Sequence, residues 1–199
     1  SRKSEELLRG LLELEVPEIY EGIIEIKNIA REAGSRSKVA VYSNDKNLDV
    51  KGACIGRNGM RIQTIIDELQ GEKIDVVLWN EDVREFVKNA LNPAQVLSVE
   101  IVEEGEDNLK VAKVVVAENQ LSLAIGKKGQ NSRLAARLCG VKIDIHTEPS
   151  EVEENREFQE KSAFGDSLDE IESIEKSDNL QDDYEVEESA FAGLGEDKE

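Results

Sequence analysis

The sequence predicts an α+β protein of two tandem modules, each a three-stranded sheet packed on helices, followed by an acidic tail. Three observations carry this reading. Apolar residues recur at alternating and helical spacings as far as residue 147. A pattern of helices, strands and glycine loops occurs twice. Composition then changes sharply near residue 150.

The elements follow in order. Residues 4–14 place Leu7, Leu8, Leu11 and Leu14 along one helical face, with Ser4 as the cap and Pro17 as the stop. That leucine face reads as core. Alternation around Ile24, Ile26 and Ile29, and again around Val39 and Val41, predicts strands over 22–31 and 38–43 with a turn at Gly34-Ser35. A short apolar stretch, Val50 to Ile55, leads into Gly56-Arg57-Asn58-Gly59. Met60, Ile62, Ile65, Ile66 and Leu69 then recur at helical spacing, and Gly71 stops that helix. Residues 73–78 read as a strand. Asp82 to Leu91 reads as a helix ended by Asn92-Pro93.

The pattern then restarts. Residues 96–102 and 109–116 are strand-like, and Asn119 to Ile125 is a short helix before Gly126-Lys127-Lys128-Gly129. A helix from about Gln130 to Cys139 is stopped by Gly140, and residues 142–145 form a last strand. Ile55-Gly56 and Gly59 match Ile125-Gly126 and Gly129 at an offset of 70. The Gly-x-Lys-Ile-Asp string at 71–75 recurs at 140–144, offset by 69. Chance supplies one Gly-x-x-Gly easily; it does not easily supply two in the same context. The expected domains are 1–92, a first module with its N-terminal helix and a linker helix; 93–148, a second module; and 149–199, a tail.

The formal net charge of −19 belongs mostly to that tail. Residues 1–150 carry 21 Lys+Arg and 25 Asp+Glu, whereas residues 151–199 carry 4 and 19. The tail has only scattered apolar groups, too few to offset the entropy of ordering, so it reads as disordered with a transient helix near 166–177. Aromatics are 4% of the chain, so the cores must be Val, Ile, Leu and Ala. Cys54 and Cys139 lack metal-type spacing and read as small apolar residues. No long apolar run implies a membrane span, and a cytoplasmic protein is expected.

The two loops are the candidate site. A helix N-terminus leaves backbone N–H groups without partners and carries the positive end of the dipole. Flanking glycines allow a tight turn and a close approach of a phosphate backbone. Arg57, Asn58, Lys127 and Lys128 point outward as phosphate or RNA contacts, with Arg61, Gln130, Asn131 and Arg133 as flanking candidates. Ile55 and Ile125 would floor a groove for bases. The absence of aromatics near the loops argues against a sheet that stacks bases on Phe or Tyr. A Gly-x-x-Gly clamp is what a KH module uses to hold about four nucleotides. No P-loop, nucleophile–base pair, metal cluster or cofactor loop is present in the sequence, so neither an enzyme nor a cofactor is expected. Trp79 reads as packing and His146 as a strand-end residue.

Two long strings sharpen this. Residues 14–22, 29–34 and 52–59 resemble the first KH module of the NusA family of bacterial transcription factors. Asn119 to Asn131, with Arg133-Leu-Ala-Ala-Arg137, resembles its second. The resemblance covers about residues 1–147. It implies two prokaryotic-type (type II) KH modules packed rigidly into one RNA track. It implies modulation of polymerase pausing, termination and antitermination through single-stranded nascent RNA. The implied partners are RNA polymerase, mainly through domains absent from this chain, and other antitermination factors. The alternative is a KH-like protein-interaction scaffold without RNA binding.

Overall fold

A computed structural model describes residues 3–148; the tail and its expected transient helix lie outside the described residues. Within them lie seven α-helices and six strands. The first helix, α1 (Glu5–Glu15), is capped by Ser4, whose hydroxyl accepts from the Glu6 amide at 3.1 Å. The line of leucines that it buries differs from the one expected. Leu8 and Leu12 are enclosed, Leu7 and Leu11 are half-buried, and Leu14 is 81% exposed. The sequence offers two overlapping leucine stripes, and packing against α4 and β1 selects the one spaced by four. Pro17 stops α1 and opens a one-turn helix, α2 (Pro17–Tyr20).

Strands β1 (Glu25–Glu32) and β2 (Arg36–Tyr42) pair antiparallel through a turn in which Gly34 has φ +79°. A bulge between Ile26 and Asn28 inserts one residue. It explains how Ile26 and Ile29, an odd number of positions apart, both face the core. Next come α3 (Val50–Ile55), capped by Asp49, the first glycine loop, and α4 (Met60–Glu68). Strand β3 (Lys73–Leu78) returns parallel to β2, giving the sheet order β1-β2-β3. The second module repeats this with β4 (Ser98–Glu104), β5 (Leu109–Val116), α6 (Leu121–Ile125), α7 (Gln130–Cys139) and β6 (Lys142–Thr147), in the order β4-β5-β6. This is the expected pair of α+β KH modules.

The first core gathers Leu8, Leu12, Val16, Ile24, Val39, Val41 and Ile65. Each such side chain contributes roughly 1.5–3 kcal/mol by leaving water. Helix α5 (Val83–Ala90), expected to serve as a linker helix of the first module, inserts Phe86, Val87 and Ala90 among Leu134, Ala135 and Leu138 of the second. Ala30, Ala40 and Val77, on the outer face of the first sheet, join the same cluster. The two modules therefore share this second apolar cluster, while the first keeps a core of its own. Asn28 adds a polar tie across them, its Nδ2 donating to the Leu138 carbonyl at 2.8 Å.

Two buried ionic groups fix the first sheet. Glu72 accepts from Arg31 twice at 2.9 Å, from the Ser37 hydroxyl at 2.7 Å and from the Gly34 amide at 2.9 Å. Arg31 also donates to the Ser4 carbonyl, tying the start of α1 to the sheet. Lys38 is wholly enclosed and donates to Asp75 at 2.9 Å and to the Asn92 carbonyl at 3.2 Å. Burial pushes its ammonium below the usual lysine range, while Asp75 opposes that shift. Trp79 is half-buried, meets Tyr42 edge-on at 5.2 Å and lies 6.5 Å from Phe86, which is a packing role.

Candidate nucleic-acid interface

Each loop is a three-residue turn wedged between two helices. The turn closes with a bond from the Gly59 amide to the Gly56 carbonyl at 3.1 Å, and from Gly129 to Gly126 at the same distance. The torsions repeat almost degree for degree. Gly56 and Gly126 have φ/ψ of 80°/169° and 76°/170°. Asn58 and Lys128 have 55°/25° and 55°/27°. Gly59 and Gly129 have 73°/14° and 73°/15°. The first glycine of each loop occupies a region essentially closed to other residues. The second and the residue before it are left-handed, which Asn tolerates better than Lys.

The first glycine is also sterically required. A Cβ on Gly56 would lie 2.7–3.0 Å from the Arg61 Cγ, Cβ and backbone N, and one on Gly126 would lie 2.8 Å from the Asn131 Cβ and N. Arg61 and Asn131 hold equivalent places in the repeat, and each braces its own loop. Arg61 donates to the Ala53 carbonyl at 2.8 Å and pairs with Glu18 at 2.9 Å. Asn131 is 2% exposed, and its Nδ2 donates to the Leu91 and Ala124 carbonyls at 3.0 Å. Both were expected as flanking RNA contacts; in the structure Arg61 bonds to the backbone of the helix before its loop, and Asn131 to that of the helix before its loop and of Leu91.

The remaining expected residues divide clearly. Arg57, Asn58, Lys127 and Lys128 are exposed at the loop tips. Among the described residues, Arg57, Lys127 and Lys128 have no carboxylate partner. Neither Gly59 nor Gly129 supplies a side-chain cap, and the first amides of α4 and α7, those of Met60 and Gln130, close the turn by donating to the Arg57 and Lys127 carbonyls. Gln130 and Arg133 turn instead toward the first module. Gln130 reaches Glu32 at 2.9 Å and Ser35 at 2.7 Å, and Arg133 grips Glu32 at 2.6 and 3.1 Å. The bonds from Arg133 and Gln130 hold the Glu32 carboxyl down at about 2.

Beside the first loop runs a groove of about 240 Å³. Ile55, Ile74 and Val76 form its apolar floor, and Arg36, Lys51, Asp75, Asn92 and Pro93 its walls. Ile125, at the second loop, is 38% exposed. Sequence reasoning expected Ile55, which lines this groove, but not Lys51, which lines it one helical turn before Ile55 and was detectable from that spacing. It also missed Glu32 and Ser35, for which no local signal exists. Burial pushes the Cys54 and Cys139 thiols up to about 11 and about 12, so both stay protonated near neutral pH. His146 lies on β6 with Nε2 3.5 Å from Asp144. No helix among the described residues is long and apolar enough to cross a membrane.

Comparison with known proteins agrees with this geometry. Residues 2–79 match the family described as NusA-like first KH domain, and residues 83–153 the NusA-like second KH domain. The chain is 51% identical to the transcription termination/antitermination protein NusA of Halalkalibacterium halodurans, over 84% of this chain and 43% of that protein. Identity to the Bacillus subtilis NusA protein is 52%, over 79% and 44%. For the Thermus thermophilus protein it is 53%, over 82% and 41%. The chain spans about two fifths of the length of these curated relatives. Through its two adjacent KH domains, the chain belongs to the NusA family.

Proposed function

We propose that the two loops clamp one strand of RNA, and that the chain is the RNA-reading part of an elongation factor acting on polymerase pausing, termination and antitermination. The observation that carries this is the duplication of one loop geometry around basic tips that have no carboxylate partner among the described residues. A structural connection has no need of a lysine in a left-handed conformation, nor of three cations that meet no carboxylate among the described residues. Backbone phosphates would sit against Arg57, Lys127 and Lys128. Asn58 would hydrogen-bond RNA. Bases would lie toward Ile55 and Ile125, so the loops position and the grooves select. Gln130 and Arg133 would act beside this strand, with Arg61 and Asn131 as supports of the loops. The RNA would be single-stranded and nascent. The partners of the whole protein would be RNA polymerase and other antitermination factors, in the cytoplasm.

Changing Lys127 and Lys128 together to Asp tests the second loop. The expected result is weaker binding to single-stranded RNA, with a salt dependence flatter by about 0.7 log units per lost phosphate contact. A folded double variant with unchanged affinity and slope would overturn the reading of that loop.

A further inference from the structure

The repeat breaks where the second loop meets the first module. Met60 and Gln63 follow the first loop; the residues 70 positions later are Gln130 and Arg133. Met60 is 68% exposed, and Gln63 bonds to Asp67 within its own helix at 2.8 Å. Gln130 and Arg133 instead converge on Glu32. Arg133 commits Nε and Nη2 to that carboxylate at 2.6 and 3.1 Å, which fixes the plane of its guanidinium. Its Nη1 then donates to the Lys128 carbonyl at 2.9 Å. Gln130 bridges Glu32 and Ser35 from the first turn of α7.

We propose that Glu32 of the first module is a positioning residue for the second clamp: by gripping Arg133 and Gln130 it holds the Lys128 carbonyl, and so the left-handed tip that presents Lys127 and Lys128. The inference rests on the RNA-binding reading of that tip. A non-glycine residue in this conformation persists only where its surroundings over-determine it, and the Glu32–Arg133–Lys128 chain of bonds supplies that constraint. The first loop shows no such chain, because Met60 and Gln63 do not offer it. Lys128 there is replaced by Asn58, which needs less help to stay left-handed.

The sign of the effect separates positioning from plain charge. Glu32 is an anion near a phosphate-binding loop, so by charge alone its removal strengthens RNA binding. Positioning requires the opposite. The test uses the full chain, a mixed single-stranded RNA pool, and amide exchange at both loops, with Lys127→Asp/Lys128→Asp as the control for RNA contact. Glu32→Gln is expected to weaken binding roughly five-fold and to speed exchange at Lys128 and Gly129 while leaving Asn58 and Gly59 unchanged. Arg133→Lys keeps the charge but loses the fork, and is expected to do the same. Where Glu32→Gln fails to fold, Arg133→Lys decides by the same readouts. Unchanged or tighter binding in these variants, with binding lost in the control, overturns the positioning role alone. Weaker binding with unchanged exchange also overturns it. A control that binds RNA normally removes the RNA reading, and the proposal falls with it.

Discussion

Within each loop the two glycines serve different needs. Gly59 and Gly129 require only a left-handed backbone, since a Cβ on Gly59 would meet nothing within 4 Å and one on Gly129 only the Arg133 Nη1 at 3.9 Å. Gly56 and Gly126, at 80°/169° and 76°/170°, stand in a region closed to other residues and also need the space that Arg61 and Asn131 fill. Alanine should report the difference. Gly129→Ala is expected to cost about 1–2 kcal/mol, the ordinary left-handed penalty. Gly126→Ala should cost more than Gly129→Ala, because its backbone region is closed to alanine and the clash is with the backbone N and Cβ of Asn131, which cannot swing away like a flexible side-chain end. Urea unfolding midpoints of the two variants check this; equal losses would show that neither that region nor the contact with Asn131 adds to the cost. Lys128 illustrates the reverse case, a residue in a place that suits glycine better. Its persistence there is a reason to give it work at the tip.

Among the elements, the first sheet depends on a buried charge that the rest of the strand arrangement does not explain. Lys38 is fully enclosed on β2, and Asp75 on β3 balances it while also taking Arg36 at 2.9 and 3.0 Å. Asp75→Ala leaves the cation with the Asn92 carbonyl alone. The expected loss is about 3 kcal/mol or more. Adding Lys38→Met should recover much of it, since an apolar side chain of similar length suits the site; chemical denaturation of the single and double variants tests the pair, and a double variant no more stable than Asp75→Ala contradicts it. Nearly every element here was legible in the sequence, because period and turn chemistry are local. The details that were not legible depend on packing. The choice between leucine stripes on α1 rests on what lies opposite. The bulge in β1 is hidden in an alternation that slips by one. Helix α5 has the same pattern whichever core it enters, and only the shared cluster with Leu134 and Leu138 assigns it.

At the scale of the whole molecule, the described residues form a pair of modules joined by a shared apolar cluster, and their two glycine loops are copies in backbone geometry. The acidity of the chain is concentrated beyond residue 150, so the global charge says little about the modules that would meet RNA. The loops could be read from sequence because each is a short contiguous motif and the repeat certifies both. The bracing of the second loop could not, because Glu32 and Arg133 are 101 positions apart and meet only when the modules dock. The same holds for Asn92 and Pro93, which reach the groove of the first module from the chain leading to the second. The central claim is that both loops hold one strand. Its most direct test is photocrosslinking of a single-stranded RNA to the intact chain, with the modified residues mapped. Adducts are expected at both tips, around Arg57–Asn58 and Lys127–Lys128, on the same RNA molecule. Adducts confined to other surfaces, with both tips unmodified in a chain that binds RNA, would contradict it.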